Sequence, residues 1–237
     1  MRSVKVARGV AVQESPPGYR SAVSVVAAGR AAFFGELEAD LPANRSALLR
    51  ADDLTPQFGY VGAHFSGPRA LLFGINPGNG PETVSRSATD ARMMPALVAF
   101  SADPTPVTFV AAQAAYRAEC QTWHVWKRHC SEILGAGRLS FDDIAYSNCL
   151  PWRTGSNSAF SESVAKKAAV LYAYPLIDEL KPSVTIAVGK RAAEILHLGG
   201  RPPPGLIVWN RAQAATDAVR EERAEAAREI FARIGMK

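Results

Sequence analysis

The chain has 237 residues, enough for one sizeable α/β domain or two small ones, and its 48% hydrophobic and 21% charged residues are an ordinary globular mix. Its net charge of +5 permits a polyanionic partner without requiring one. Three cysteines, Cys120, Cys130 and Cys149, contain no CxxC pair; they exclude a disulfide framework and point to a reducing, cytoplasmic setting.

Residues 1–60 read as an N-terminal helical extension. "QESPPGY" is a turn or linker, and "RSAVSVVAAGRAAFFGELEAD" has helical spacing up to Pro42. Its apolar part is interrupted by Arg30, so it is too short to span a bilayer. Residues 1–13 carry no apolar signal region with a cleavage site. Charge is uneven here: residues 1–30 hold five Lys/Arg and one acid, and residues 31–60 hold two Arg and five acids.

From residue 69 the pattern alternates between strands and helices. "RALLFGI" is an apolar run that stops at Gly and Pro, a buried strand. "DDIAYSNCLP" (142–151) is a second, "SVTIAVG" (183–189) a third and "GLIVWN" (205–210) a fourth. Helical stretches lie at 106–134, 160–180 and 190–198, with a last helix over 212–234. This order predicts one α/β domain over residues 61–237, a three-layer α/β/α arrangement around a mainly parallel four-stranded sheet. Ligands of such sheets bind beyond the carboxyl ends of the strands.

Those ends read Gly74-Ile75-Asn76-Pro77-Gly78, then Asn148 in "NCLPWR", then Gly189-Lys190-Arg191, then Asn210-Arg211-Ala212-Gln213. Three of the four present an Asn, whose amide both donates and accepts and so suits the amide-like edge of a pyrimidine. Arg153, Lys190, Arg191 and Arg211 lie on the same rim, as a phosphate backbone would require. Blander readings stand beside these. "GINPG" serves equally as a turn, Asn148 as the cap of the turn after it, and Asn210 as the N-cap of the last helix. The stretch from Asp217 to Lys237 has five Lys/Arg and five acids, a charge-balanced surface helix with no claim on DNA. In "WHVWKRHC", Trp123 and Trp126 read as core at helical spacing. "GKRAA" lacks the glycine spacing of a phosphate loop.

The order of these segments resembles the uracil-DNA glycosylase superfamily over residues 60–235. "GINPG" is similar to the first motif of its mismatch-specific branch. "PLIDELKPSVTIAVGKRAAEIL" is similar to the superfamily's helix–strand–helix segment, and "NCLPWR" falls where the superfamily places a pyrimidine-reading Asn. By this resemblance Asn76 holds the attacking water, and Asn148 bonds the uracil edge. Gly74, Ile75, Pro77 and Gly78 line the base. Asn210 starts the second motif and donates to the leaving oxygen. Asn79, Arg153, Lys190, Arg211 and Gln213 face DNA. The second motif departs from the family: Arg211-Ala212-Gln213-Ala214 has no Pro, and Ala214 stands near the expected apolar wedge. The aromatic that stacks on the base is expected soon after the first motif; the next aromatic here is Phe100.

The implied reaction is hydrolysis of the N-glycosidic bond of uracil in single- or double-stranded DNA by a monomer, with no strand cleavage and no cofactor. Uracil leaves as an anion from an oxocarbenium-like sugar. No motif places a lysine for a Schiff base. Three cysteines cannot supply a four-cysteine iron–sulfur cluster. No metal is expected either: His64, His124, His129 and His197 show no ligand spacing with acids or cysteines, and His124 and His129, five apart on an expected helix, are not brought onto one coordinating face. The alternative is a non-catalytic DNA- or nucleotide-binding protein on the same fold.

Overall fold

The computed structural model describes residues 57–62, 70–77, 84–103, 105–151, 161–212 and 216–234. Gly78, Asn79, Arg153 and Gln213, and the extension up to residue 56, lie outside the described residues.

The central sheet has five strands: β1 (Tyr60–Val61), β2 (Ala70–Gly74), β3 (Ile144–Asn148), β4 (Val184–Val188) and β5 (Ile207–Trp209). Their order across the sheet is β1-β3-β2-β4-β5. β1 runs antiparallel to β3; the other four are parallel. The four expected strands are therefore present, with a fifth at the edge. Every residue of β2, β3 and β4 is buried, as a parallel sheet covered on both faces demands.

Between β2 and β3 lie α1 (Val84–Ala102), α2 (Pro106–Cys120), a π-helical turn (Trp126–Cys130) and α3 (Ser131–Gly137). Between β3 and β4 lie α4 (Glu162–Ala168), a second π-helical turn (Ala169–Ala173) and α5 (Tyr174–Leu180). α6 (Lys190–Leu198) joins β4 to β5, and α7 (Asp217–Ile234) follows β5. Alternate residues of β3 show how the faces are covered. The Tyr146 ring meets Trp126 of the first π turn at 5.1 Å. Ser147, on the opposite face, bonds Tyr172 of the second π turn at 2.7 Å, and the Cys149 thiol donates to the Ala192 carbonyl of α6. α7 packs on α3 and β5, and α6 packs on α4.

Two elements depart from the sequence expectation. α1 was not expected; Pro95 lies inside it. Its apolar stripe is nevertheless regular: Met93, Leu97 and Phe100 are all buried, at spacings of four and three. The expected helix over 106–134 is broken after Cys120 and resumes as the π turn and α3. α2 opens on a reciprocal cap, in which the Thr105 hydroxyl accepts from Thr108 N–H and Thr108 returns the bond to Thr105 N–H.

β1 begins inside the stretch assigned to the extension. Phe58 and Tyr60 are core residues, so the α/β unit takes in at least Gln57–Tyr60. The outer edge of β1 is closed by one side chain of α2. Gln113 accepts from Val61 N–H at 2.8 Å and donates to the Gly59 carbonyl at 3.2 Å, standing in for a further strand.

Candidate functional site

β2 sits between β3 and β4. The chain leaves β2 toward one side and later crosses to the other, so the topological switch point falls at its carboxyl end. That end is Gly74-Ile75-Asn76-Pro77. The parallel ladder continues past the strands there: Cys149 N–H donates to the Gly74 carbonyl at 2.9 Å, and Leu150 N–H to the Ile75 carbonyl at 3.0 Å. Gln57 N–H then bonds the Pro151 carbonyl at 2.7 Å. The two Asn-bearing segments are thus laced together by backbone. Asn76 is buried at 9% exposure, and Ile75 and Pro77 are half-buried.

Asn148 is in direct register with Gly74. A Cβ on Gly74 would lie 2.4 Å from Asn148 Oδ1 and 2.8 Å from the Tyr146 hydroxyl. Only glycine leaves room for the amide to lie across the end of β2. The Tyr146 hydroxyl donates to Asn148 Oδ1 over a long 3.4 Å. Tyr146 is itself held by Trp126, which meets Phe141 at 4.7 Å. Burial pushes the Tyr146 phenol up, with Cys130 adding and Arg211 opposing, so it stays a protonated donor. Asn148 Nδ2 is buried and has no hydrogen-bond partner among the described residues. A buried donor without a partner is costly, about 1–3 kcal/mol, and such a group marks a place where a ligand acceptor fits.

Asn210 stands at the end of β5, two strands from β2. Its amide is already engaged: Nδ2 donates to Glu222 at 2.6 Å, and Oδ1 accepts from Ala212 N–H at 2.8 Å. The Asn210 bond, with Lys190 beside it, holds the Glu222 carboxyl below its usual range. Arg223 clamps the same turn, donating to the Asn210 carbonyl at 2.8 Å and the Ala212 carbonyl at 3.0 Å. Asn210 is therefore a turn former rather than the cap of α7, which begins at Asp217; Thr216, whose hydroxyl accepts from Val219 N–H, caps that helix.

Arg211 is half-buried, and its aliphatic stem crosses Gly189. Gly189 has φ +115°, and a Cβ there would sit 3.1 Å from Arg211 Cδ; both facts call for glycine. The exposed Lys190 reaches Glu222 at 3.4 Å across the groove between α6 and α7. Phe100 packs edge-on against Phe58 at 4.8 Å and Phe109 at 5.7 Å, an aromatic cluster inside the core. The switch point therefore gathers Gly74, Ile75, Asn76, Pro77 and Asn148; Asn210 and Arg211 approach from the β5 side, and Phe100 stays in the core.

The sequence assigned no role to Tyr146 and weighed His129 only as a metal ligand. The signal for Tyr146 was its place two residues before Asn148, on the same face of β3. His129 had no such signal. The rings of His124, just before the π turn, and His129, within it, meet edge-on at 6.4 Å. No group of three or more metal-ligating side chains occurs among the described residues. His129 is buried, and its Nδ1 has no partner among them. Burial first, then Arg211, Arg223, Arg128 and His124, lowers its pKa to about 4.

His129 gives a pH prediction. Between 6.5 and about 4 the unfolded chain binds a proton that the folded chain refuses, so stability is lost as pH falls through that window and levels off below it. Thermal melting at pH 7, 6 and 5 should show a falling midpoint, and His129→Gln should flatten the fall. An unchanged slope in the variant would place the acid sensitivity elsewhere.

Burial also pushes up the thiols of Cys120, Cys130 and Cys149, so all three are buried and inert as nucleophiles. No helix among the described residues is long and apolar enough to cross a membrane. No protein-family model matches the chain, and no curated protein matches it.

Proposed function

We propose that this chain is a monofunctional DNA glycosylase of the uracil-removing kind, working in base-excision repair in the cytoplasm as a monomer. The observation that carries the reading is the pair of Asn side chains at the switch point. The segments that carry Asn76 and Asn148 are laced by backbone bonds from Cys149 to Gly74 and from Leu150 to Ile75, and the buried Nδ2 of Asn148 lacks a partner among the described residues. A base taken out of the DNA stack supplies the missing acceptor. Asn148 Nδ2 donates to a uracil carbonyl, while Gly74, Ile75 and Pro77 bring backbone close to base and sugar. Asn76 holds a water beneath the anomeric carbon. The C1′–N1 electron pair leaves with uracil, the water oxygen bonds C1′, and its proton passes to solvent. Asn76 has no charge with which to steady the sugar cation, so the rate is expected to be modest. Lys190, with Asn79, Arg153 and Gln213, supplies the face toward DNA.

The engaged amide of Asn210 favours a second reading, a non-catalytic DNA- or nucleotide-binding protein of this architecture. Labelled oligonucleotides separate the two: single-stranded, U:A and U:G substrates are incubated with the wild-type chain, and free base and strand breaks are scored separately. Free uracil with an intact, alkali-labile strand supports the glycosylase. Salt-sensitive binding without base release supports the second reading.

A further inference from the structure

Three facts about the turn after β5 point beyond Asn210. First, the Asn210 amide has its donor on Glu222 at 2.6 Å and its acceptor under Ala212 N–H at 2.8 Å; spending it on a ligand would mean breaking the turn. Second, Arg223 locks the carbonyls of Asn210 and Ala212 in place at 2.8 and 3.0 Å, fixing the backbone on both sides of Arg211. Third, the Arg211 stem lies over Gly189, where an added Cβ would meet Cδ at 3.1 Å. The stem is thereby held against the end of β4, and the residue is half-buried. Its guanidinium forms no hydrogen bond or ion pair with any described residue; the neighbouring carboxylate, Glu222, is taken by Asn210 and Lys190. A half-buried cation held by a rigid turn, with no partner among the described residues, is poised for an anion.

We propose that Arg211, not Asn210, is the catalytic group that meets the negative charge of the departing base, an inference that rests on the glycosylase reading above. As the C1′–N1 bond breaks, its electron pair spreads over N1, C2 and O2 of uracil. A guanidinium N–H donates to that oxygen while water adds to C1′ and gives up its proton. Asn210 is then a positioning residue, holding the turn that aims Arg211. The surroundings agree: the charge of Arg211 reaches the buried Tyr146, Cys130 and His129, and the Tyr146 hydroxyl is the one that touches Asn148.

Leaving-group dependence tests this in single-turnover release with the full chain. Arg211→Gln and Arg211→Lys are compared with wild type on DNA carrying uracil or 5-fluorouracil, whose anion is more stable and leaves with less help. If Arg211 meets the leaving anion, Arg211→Gln slows uracil release by about 100-fold and 5-fluorouracil release by clearly less. Arg211→Lys recovers part of the loss, and DNA affinity changes little. Equal slowing of both bases, or a loss confined to DNA affinity, would make Arg211 a phosphate contact and overturn the inference; so would unchanged release. Absence of uracil release by the wild type is a separate failure, that of the glycosylase reading, and removes this inference with it. Circular dichroism spectra of both variants show whether the fold is retained, and the lysine variant keeps the test decisive if the glutamine one unfolds.

Discussion

Gly74→Ala is expected to abolish detectable uracil release while leaving a folded, less stable protein. The new methyl would lie 2.4 Å from Asn148 Oδ1 and 2.8 Å from the Tyr146 hydroxyl, both well inside contact distance. Neither neighbour retreats easily. Asn148 is fixed by the register of β2 against β3, and Tyr146 is buried behind Trp126. Overpacking of this kind costs about 1–3 kcal/mol, so the melting midpoint drops by several degrees. The larger effect is expected on function, because the side chain that must yield is the amide proposed to read the base. A displacement of about 1 Å in a positioning group costs about 100-fold in rate. Single-turnover release and thermal melting measured together give the answer. Wild-type release from a destabilised variant would show that the Asn148 amide does not work from its place over Gly74.

Tyr146→Phe tests which end of that amide faces the base. Tyr146 donates to Oδ1, and Nδ2 has no partner among the described residues. A donor facing outward suits the carbonyl of uracil and opposes the exocyclic amine of cytosine. Deleting the hydroxyl frees the amide to turn over. Uracil release should then fall about tenfold while any cytosine release rises, narrowing the discrimination between the two bases. Sites built on a hydrogen bond owe most of their selectivity to the unpaired partner left by the wrong substrate. A purely structural hydroxyl would lower both rates together, and an unchanged ratio would show that Tyr146 does not orient the amide.

Much of the scaffold was legible because buried parallel strands and turn residues are local signals. "SVTIAVG" was expected as a strand and became β4, with α6 beginning at Lys190 as expected. What escaped was decided at longer range. β1 has only two residues, too few for any pattern, and exists because β3 and Gln113 flank it. α1, with Pro95 inside it, was not expected either. The last helix was expected from residue 212 but starts at Asp217, because the Asn210 side chain and Arg223 first build a turn.

The site divides in the same way. The glycine and asparagine string at the end of β2 and the Asn in "NCLPWR" were visible as strand ends, and the fold brings them together. Which polar groups remain unpaired was not visible. The Asn210 bond to Glu222, and the lack of a partner among the described residues for Asn148 Nδ2 and for Arg211, depend on neighbours more than ten positions away or on another strand. Phe100 shows the converse: an aromatic named for its distance from Asn76 is held among Phe58 and Phe109.

The central claim is that water held by Asn76 cleaves the glycosidic bond of uracil. Its most direct test is free-uracil release from a U:G oligonucleotide by the wild type and by Asn76→Ala, with DNA affinity measured in parallel. The account predicts release by the wild type, a loss of about 100-fold or more in the variant, and equal DNA binding by both. Release that survives Asn76→Ala undiminished would contradict the assigned chemistry, and no release by the wild type would contradict the function itself.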